Sequence, residues 1–294
     1  MQVVVYSKLL KDKDIEPVQL LFDTLFDEEI SIFVYGPYLE QLRGKVTFKK
    51  DVLVFESYWD LFRKKLDFFI TLGGDGTILS AITHVRDSNV PILGINLGRL
   101  GFLASIEKKK IVNAIQLLKR GMYEIDERDL LYLESNLPIF GEIRFALNDC
   151  TLLKRDTSSM ITIHTFINGT YLNSYWADGI IIATPTGSTG YSLSCGGPII
   201  FPNSGNFVIT PVAPHNLNVR PVVISDDSVV SFEIEGRAEQ FLCTLDSRFE
   251  TITAAHQLAI RKNSFTIKLV QIQDVGFMQT IRDKLTWGND SRNH

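Results

Sequence analysis

The sequence predicts an α/β protein: an amino-terminal domain on a parallel sheet with helices on both faces, then an antiparallel β domain, then a helix returning to the first domain. Three observations predict it. Apolar strand-like runs alternate with helical periodicity over the first third of the chain. From about residue 123 strand follows strand, and residues 277–285 turn helical again. The expected domains are 1–122, 123–271 and a returning segment 272–294.

Residues 3–6 form a short apolar run, read as a buried strand. Residues 15–26 carry Ile15, Val18, Leu21, Phe22 and Leu25 at helical spacing. Residues 30–35 and 52–55 return to strand. Residues 58–66 read as a helix whose Arg63, Lys64 and Lys65 make a solvated face. Residues 67–72 are an apolar run ending in glycines, followed by a helix at 78–85, a strand at 91–95 and a helix at 109–118. Further on, strands are expected at 130–134, 142–147, 160–167, 179–183, 207–212, 229–235, 241–245 and 266–270. They are rich in Val, Ile, Phe and Thr, and Gly, Asn, Asp and Pro mark their turns. There is no internal repeat, low-complexity tract or long linker.

Composition excludes several function classes. The 294 residues suit one large or two ordinary domains, and 45% hydrophobic residues can fill a core. A formal net charge of −4 gives no broad basic field, so nucleic acid is not an expected partner. Cys150, Cys195 and Cys243 form no CxxC pair, and an odd count argues against a disulfide framework. The five histidines make no HExxH or HxxxH cluster, so no zinc site is expected. The first residues lack a signal-peptide layout, and no segment approaches the roughly 20 apolar residues that cross a bilayer. The expectation is a cytoplasmic protein without a membrane partner, in which the sequon Asn168-Gly169-Thr170 is chance.

Four segments carry chemistry. In Thr71-Leu72-Gly73-Gly74-Asp75-Gly76-Thr77, between an apolar strand and a helix, adjacent glycines let backbone N–H groups approach phosphate oxygens, and the helix start adds partial positive charge. An aspartate there would repel phosphate unless it is a general base or a metal-linked carboxylate, so Asp75 is read as one of the two. A tight turn capped by Asp75 is the plain alternative. Neither GxGxxG with its acidic partner nor GxxxxGK[ST] is present. A second glycine loop, Asn96-Leu97-Gly98-Arg99-Leu100-Gly101-Phe102-Leu103, follows the 91–95 strand, and Phe102 offers either an aromatic face to a base or a core ring. Third, in Asn148-Asp149 the amide suits an adenine edge and the carboxylate suits ribose hydroxyls, although Asn-Asp is also an ordinary turn. The fourth runs from Asp178-Gly179 through Thr184-Pro185-Thr186-Gly187-Ser188-Thr189-Gly190-Tyr191-Ser192-Leu193-Ser194 to Gly196-Gly197-Pro198. Its small hydroxyl residues and glycines could cradle a dinucleotide, with Tyr191 covering a ring.

Taken together with Leu245-Asp246, these segments, in this order and over about two-thirds of the chain, resemble the NAD kinase family. The GGDGT loop alone is shared with diacylglycerol and sphingosine-type lipid kinases and resembles a phosphofructokinase loop; the 184–194 run is far more specific to NAD kinases. The resemblance implies a Rossmann-like first domain, a second domain of sandwich type that binds NAD, and a site between them. It implies phosphorylation of the 2′-hydroxyl of the adenosine ribose of NAD by ATP, with Mg²⁺ or another divalent metal carried mainly by the ATP phosphates, giving NADP and ADP. It also implies a homodimer or homotetramer in which Asp178 and part of the β domain serve a neighbouring subunit. Asp75 would be the base, Gly73, Gly74 and Thr77 would border the phosphates, and Gly76 is a further NAD-binding candidate. Phe102, Asn148, Thr189, Gly190 and Ser192 would line the adenosine half, with Asp149 near the ribose and Thr186 a further NAD-binding candidate. Tyr191, Asp178 and Ala213 would meet the nicotinamide half, and Asp246 is a further candidate. A lipid kinase with the same loop would need a membrane-facing basic stretch, which is absent. A dinucleotide sensor without catalysis sits poorly with an intact Asp75.

Overall fold

The computed structural model describes residues 1–155, 159–272 and 277–287. The chain forms two compact units: residues 1–127 together with the chain from Ile267 on, and residues 128–266.

The first unit opens with β1 (Gln2–Tyr6), α1 (Ile15–Asp27), β2 (Ser31–Tyr35), α2 (Gly36–Leu42), β3 (Leu53–Phe55), α3 (Tyr58–Arg63) and β4 (Phe68–Leu72). It continues with α4 (Asp75–Val85), β5 (Ile92–Asn96), β6 (Ile106–Glu107), α5 (Ile111–Lys119) and β7 (Glu124–Arg128). The sheet order is β3-β2-β1-β4-β5, with β6 also pairing β5, and every one of these pairs is parallel. Both β4 and β5 are buried along their whole length, as expected of strands covered on both faces, which read as unbroken apolar runs. Helix α1 buries Val18, Leu21, Phe22 and Leu25, the residues whose spacing marked it, and Pro17 fits its first turn because a first-turn N–H has no helical partner. Helix α3 starts at a capping box formed by Ser57 and Asp60.

The second unit holds β8 (Leu131–Ser135), β9 (Phe145–Ala146), β10 (Asp149–Lys154), β11 (Ile161–Ile167), β12 (Thr170–Ala177), β13 (Gly179–Ala183) and α6 (Tyr191–Ser194). After them come β14 (Asn206–Val212), β15 (Val222–Ser225), β16 (Val230–Glu235), β17 (Phe241–Leu245), β18 (Arg248–Ile252) and β19 (Leu258–Lys262). They make two sheets, β15-β14-β13-β10-β17-β18 and β12-β11-β16-β19-β8-β9, antiparallel throughout. One core joins Leu152, Ile180, Phe207 and Cys243 of the first sheet to Leu133, Ile163, Phe232 and Ile260 of the second. A smaller cluster of Ile181, Ala183, Ile200, Val208 and Val212 covers the other face of β13, so that strand carries no polar alternation.

The chain then re-enters the first unit through β20 (Ile267–Gln271) and α7 (Phe277–Leu285). The 266–270 run, expected among the antiparallel strands, instead lies parallel to β5, with Leu269 opposite Ile92. A five-residue apolar strand carries no mark of which sheet it will join. The return therefore begins at Ile267, five residues before the expected 272, and β7 likewise belongs to the first sheet, past the expected end at 122. Of the 142–147 run only Phe145–Ala146 pairs, and the 58–66 helix ends at Arg63.

His84 of α4 sits among aromatic rings, with centroids at 5.0 Å from Tyr35, 5.2 Å from Tyr6 and 6.1 Å from Phe55. Burial, and then the charge of Arg86, push its imidazole from 6.5 down to about 4. The unfolded chain therefore takes up this proton first. The stability tied to neutral His84 is complete above pH 6.5 and is lost as pH falls towards 4, by about 3 kcal/mol. In urea unfolding, His84→Phe should gain about 2–3 kcal/mol on the wild type between about pH 7.5 and about pH 4.5. A difference that does not change with pH would exclude a buried neutral imidazole.

Candidate active site

In an open α/β sheet, ligands bind beyond the carboxyl ends of the strands where the strand order reverses. Here the reversal lies between β1, which leads out to β2 and β3, and β4, which leads to β5. A cavity of about 330 Å³ opens there, lined by residues that follow β1, β4 and β5. Gly73 and Gly74 form part of its wall, and Lys8, Lys11, Lys13 and Arg99 bring four cations to it. The segment after β1 is fastened: Gln41 of α2 accepts from Leu10 N–H at 3.0 Å and donates to the Lys8 carbonyl at 3.2 Å. The Ser7 hydroxyl donates to the Leu72 carbonyl at 2.7 Å. Gly74 is the residue before the first turn of α4, so unpaired helix N–H groups face this region. Sequence reasoning missed the three lysines. They follow the first strand at ordinary spacing, and only the strand order places them beside the glycine loop.

Asp75 does not face empty space. Its Oδ2 accepts from Phe102 N–H at 2.8 Å, and its Oδ1 accepts from Leu103 and Ala104 N–H, each at 3.0 Å. A carboxylate has about four lone-pair positions, so about one is left for a further proton donor. Gly101 passes so close that a Cβ there would overlap the Asp75 carboxylate. Asn96 braces the same loop, accepting from Gly98 N–H and donating to the Arg99 carbonyl, both at 2.7 Å. The Phe102 ring is half-buried, 6.4 Å from the Phe277 ring of α7, with the Lys284 ammonium 5.8 Å from its centroid. The two glycine loops that sequence pairs only by likeness are thus joined through one carboxylate.

In the second unit Asn148 precedes β10, which Asp149 opens, and both lie against the turn from β17 to β18. Asp246 in that turn, at a φ of 53°, accepts from the N–H groups of Leu147 at 3.0 Å, Asn148 at 2.7 Å and Asp149 at 3.3 Å. Its carboxyl is therefore engaged within the protein, and burial raises its proton affinity. Burial and then the Asp246 charge raise Asp149 from 3.8 to about 7, against a hydrogen bond from the Thr151 hydroxyl at 3.1 Å. Asp149 therefore holds a proton far more readily than an ordinary carboxyl.

The hydroxyl-rich segment docks on that turn. Thr184 donates its hydroxyl to the Leu147 carbonyl at 2.6 Å and its N–H to the Asn148 carbonyl at 2.9 Å. Gly187 presses on Asn148 so closely that a Cβ would overlap its backbone. Ser188 fastens the loop to Ile200 N–H at 2.9 Å, Ser192 is fully buried on the Thr210 hydroxyl at 2.8 Å, and Thr186 accepts from Arg128 at 3.1 Å. Thr189 and Gly190 are half-buried, and the Tyr191 ring is 42% exposed. Asp178 N–H donates to the Val212 carbonyl at 3.0 Å, and Ala213 beside it is exposed with a φ of 44°. The structure thus gathers Gly73, Gly74, Gly76, Asp75, Thr77 and Phe102 in one unit. It gathers Asn148, Asp149, Thr186, Thr189, Gly190, Tyr191, Ser192 and Asp246 in the other, with Asp178 close enough for its charge to act on the Tyr191 hydroxyl.

Among the described residues no helix is long and apolar enough to cross a membrane. Two family models match the chain, the ATP-NAD kinase N-terminal domain over residues 39–123 and the ATP-NAD kinase C-terminal domain over 147–272. The NAD kinase of Cytophaga hutchinsonii is 44% identical over 98% of each chain. That of Flavobacterium psychrophilum is 43% identical over 100% of each. Among solved structures, yeast NADH kinase complexed with NADH superposes with a TM-score of 0.88 at 22% identity, over 100% of this chain and 89% of that one. An NAD kinase from Archaeoglobus fulgidus in complex with ATP gives 0.73 at 23% identity, over 97% and 99%. At these identities the two structures speak for the fold.

Proposed function

Since the chain belongs to the NAD kinase family, we propose a division of labour for the residues described above. The reaction transfers phosphate from ATP to NAD, making NADP. The cavity beside Gly73 and Gly74 takes the triphosphate, whose charge meets Lys8, Lys11, Lys13 and Arg99. Asp75 uses its remaining acceptor position to take the proton of the adenosine 2′-hydroxyl as the new phosphorus–oxygen bond forms. Asn148 and Asp149 address the adenosine half. Thr186, Ser192 and Asp246 act by holding the loops that Thr189, Gly190 and Tyr191 present. The raised proton affinity lets Asp149 donate to a ribose hydroxyl as well as accept from one.

Among the described residues no group of three or more His, Cys, Asp or Glu stands together as a metal cage. Mg²⁺ fits this site as a passenger on the triphosphate oxygens, where it would offset their charge. We assign the chain a cytoplasmic, homo-oligomeric enzyme on the family's pattern, without nucleic acid or membrane as partner.

The observation that carries this reading is the cationic cavity at the strand reversal, sharing its glycine loop with Asp75. The test is NADP formation from NAD, ATP and Mg²⁺, coupled to an NADP-specific dehydrogenase. No turnover, with NAD bound, would leave a dinucleotide sensor or a different phosphate donor. The cavity has its own prediction. Lys11→Gln with Lys13→Gln should raise KM for ATP about fivefold to tenfold, since each exposed cation contributes about 1 kcal/mol or less. KM for NAD should stay within about twofold, and the effect should shrink at high salt. Equal effects on both substrates would remove the lysines from the phosphate site.

A further inference from the structure

We propose that Asp14 is the protein's own ligand to the divalent metal that rides on the triphosphate. The inference rests on the reading of the cationic cavity as the triphosphate site, and it adds a residue that no sequence motif marked. Asp14 closes the short 3-10 turn Asp12–Asp14 and stands at the start of α1. Its N–H donates to the Lys11 carbonyl at 2.9 Å, which fixes the turn, but its side chain caps no helix N–H. It lines the cavity of about 330 Å³ beside Gly73 and Gly74, and it is the one acidic residue among the described residues there. It is only 5% exposed. Among the described residues its Oδ1 meets no hydrogen-bond donor, and no lysine or arginine pairs with its carboxylate. The fully buried Tyr38 hydroxyl, close enough to feel the Asp14 charge, makes no hydrogen bond to it either. The exposed Asp12, two residues earlier, has Lys45 at 3.1 Å.

A buried carboxylate is costly unless it is paired, hydrogen-bonded or bound to a metal. Asp14 has neither of the first two, although Lys8, Lys11, Lys13 and Arg99 border the same cavity. Those four cations call for an anion, and the carboxylate calls for a positive centre. A triphosphate with a divalent cation on its oxygens carries both. Mg²⁺ binds in this way, through one or two carboxylates together with substrate phosphates rather than in an all-protein cage. A single carboxylate at a phosphate site, with no group of three or more His, Cys, Asp or Glu among the described residues, fits that mode. Facing a triphosphate without its metal, Asp14 would repel it. The carboxylate thereby makes the cavity choose the metal-loaded triphosphate over the free one.

The test is calorimetric titration of the full chain with the β,γ-imido analogue of ATP, which does not give up its phosphate, once with Mg²⁺ and once with EDTA. The quantity is the ratio of the two Kd values, EDTA over Mg²⁺. Asp14→Asn should lower that ratio about tenfold, the scale of one lost partner at a metal site. The two forms should move in opposite directions: the Mg²⁺ form binds more weakly, and the metal-free form more tightly because the repulsion is gone. A structural role would weaken both forms together and leave the ratio in place. Tyr38→Phe should hold the ratio within about twofold of wild type, since no hydrogen bond to Asp14 is lost. In steady-state kinetics the Mg²⁺ concentration for half-maximal rate should rise about tenfold in Asp14→Asn. A ratio unchanged in Asp14→Asn, or both forms weakened alike, overturns the proposal. So does a wild type that binds the analogue no better with Mg²⁺ than with EDTA. Loss of the preference for ATP over 2′,3′-dideoxy-ATP in Asp14→Asn, with the metal ratio intact, would put Asp14 on the sugar hydroxyls and overturn it too. Should Asp14→Asn not fold, Asp14→Ser removes the same charge with less bulk and reads the same ratio. Failure of the wild type to bind the analogue at all would strike the triphosphate site on which the proposal rests, a result distinct from an unmoved ratio.

Discussion

Asp75→Asn is expected to lower kcat by about 10³-fold while the Kd for NAD changes by less than about threefold. The substitution keeps the shape of the side chain but removes the carboxylate that takes the hydroxyl proton. It also places an amide NH₂ among the three backbone N–H groups of Phe102, Leu103 and Ala104. One or two of those hydrogen bonds must be lost, which costs about 1–3 kcal/mol. A melting temperature lowered by a few degrees should therefore accompany the loss of rate. The two contributions separate in the measurements. Bracing shows in the melting temperature and in KM for ATP, and proton transfer shows in kcat at saturation. Should kcat stay within about tenfold of wild type with NAD bound normally, Asp75 only holds the 98–104 loop and the base lies elsewhere.

Gly187→Ala should raise KM for NAD more than about tenfold and lower the melting temperature by several degrees. The added Cβ would overlap the carbonyl, carbon and Cα of Asn148, which are backbone atoms and cannot swing aside. The turn that carries Asn148 and Asp149 would have to move, and with it the hydrogen bonds from Thr184 to Leu147 and Asn148. Gly190→Ala supplies the graded control. There the Cβ would lie 3.2 Å from the Gly187 carbonyl, a contact that small shifts relieve. A Gly187→Ala protein with ordinary NAD kinetics would show that the 184–192 loop need not rest on Asn148 for the dinucleotide to bind.

The candidate site was legible in the sequence where chemistry is compressed into a short run. Gly73-Gly74-Asp75 and the 184–194 segment name their residue types at fixed spacing, and both lie where apolar strands give way to turns. Asp246 was found as a candidate, but its carboxyl binds the backbone of the Asn148 turn rather than facing outward. Ser192 is likewise turned inward, onto Thr210. Residue type and order carry no information about which way a side chain points.

The sequence by itself determined the alternation of strands and helices in the first unit, the run of antiparallel strands in the second and the glycine loops. Each of these is local, set by hydrophobic periodicity and by the backbone freedom of glycine over a few residues. Tertiary structure alone decided three things. It took β20 out of the strand-rich segment and laid it parallel to β5, because a short apolar strand fits either sheet until its neighbours are in place. It carried Lys8, Lys11 and Lys13 to the glycine loop, because only the order of β1 and β4 makes those strand ends adjacent. It set Lys154 on Asp178, 24 residues apart in sequence, because the antiparallel register of β10 and β13 brings their ends together. Contacts between distant segments depend on which strands pair, and pairing is settled by the burial of whole faces rather than by any one stretch of sequence.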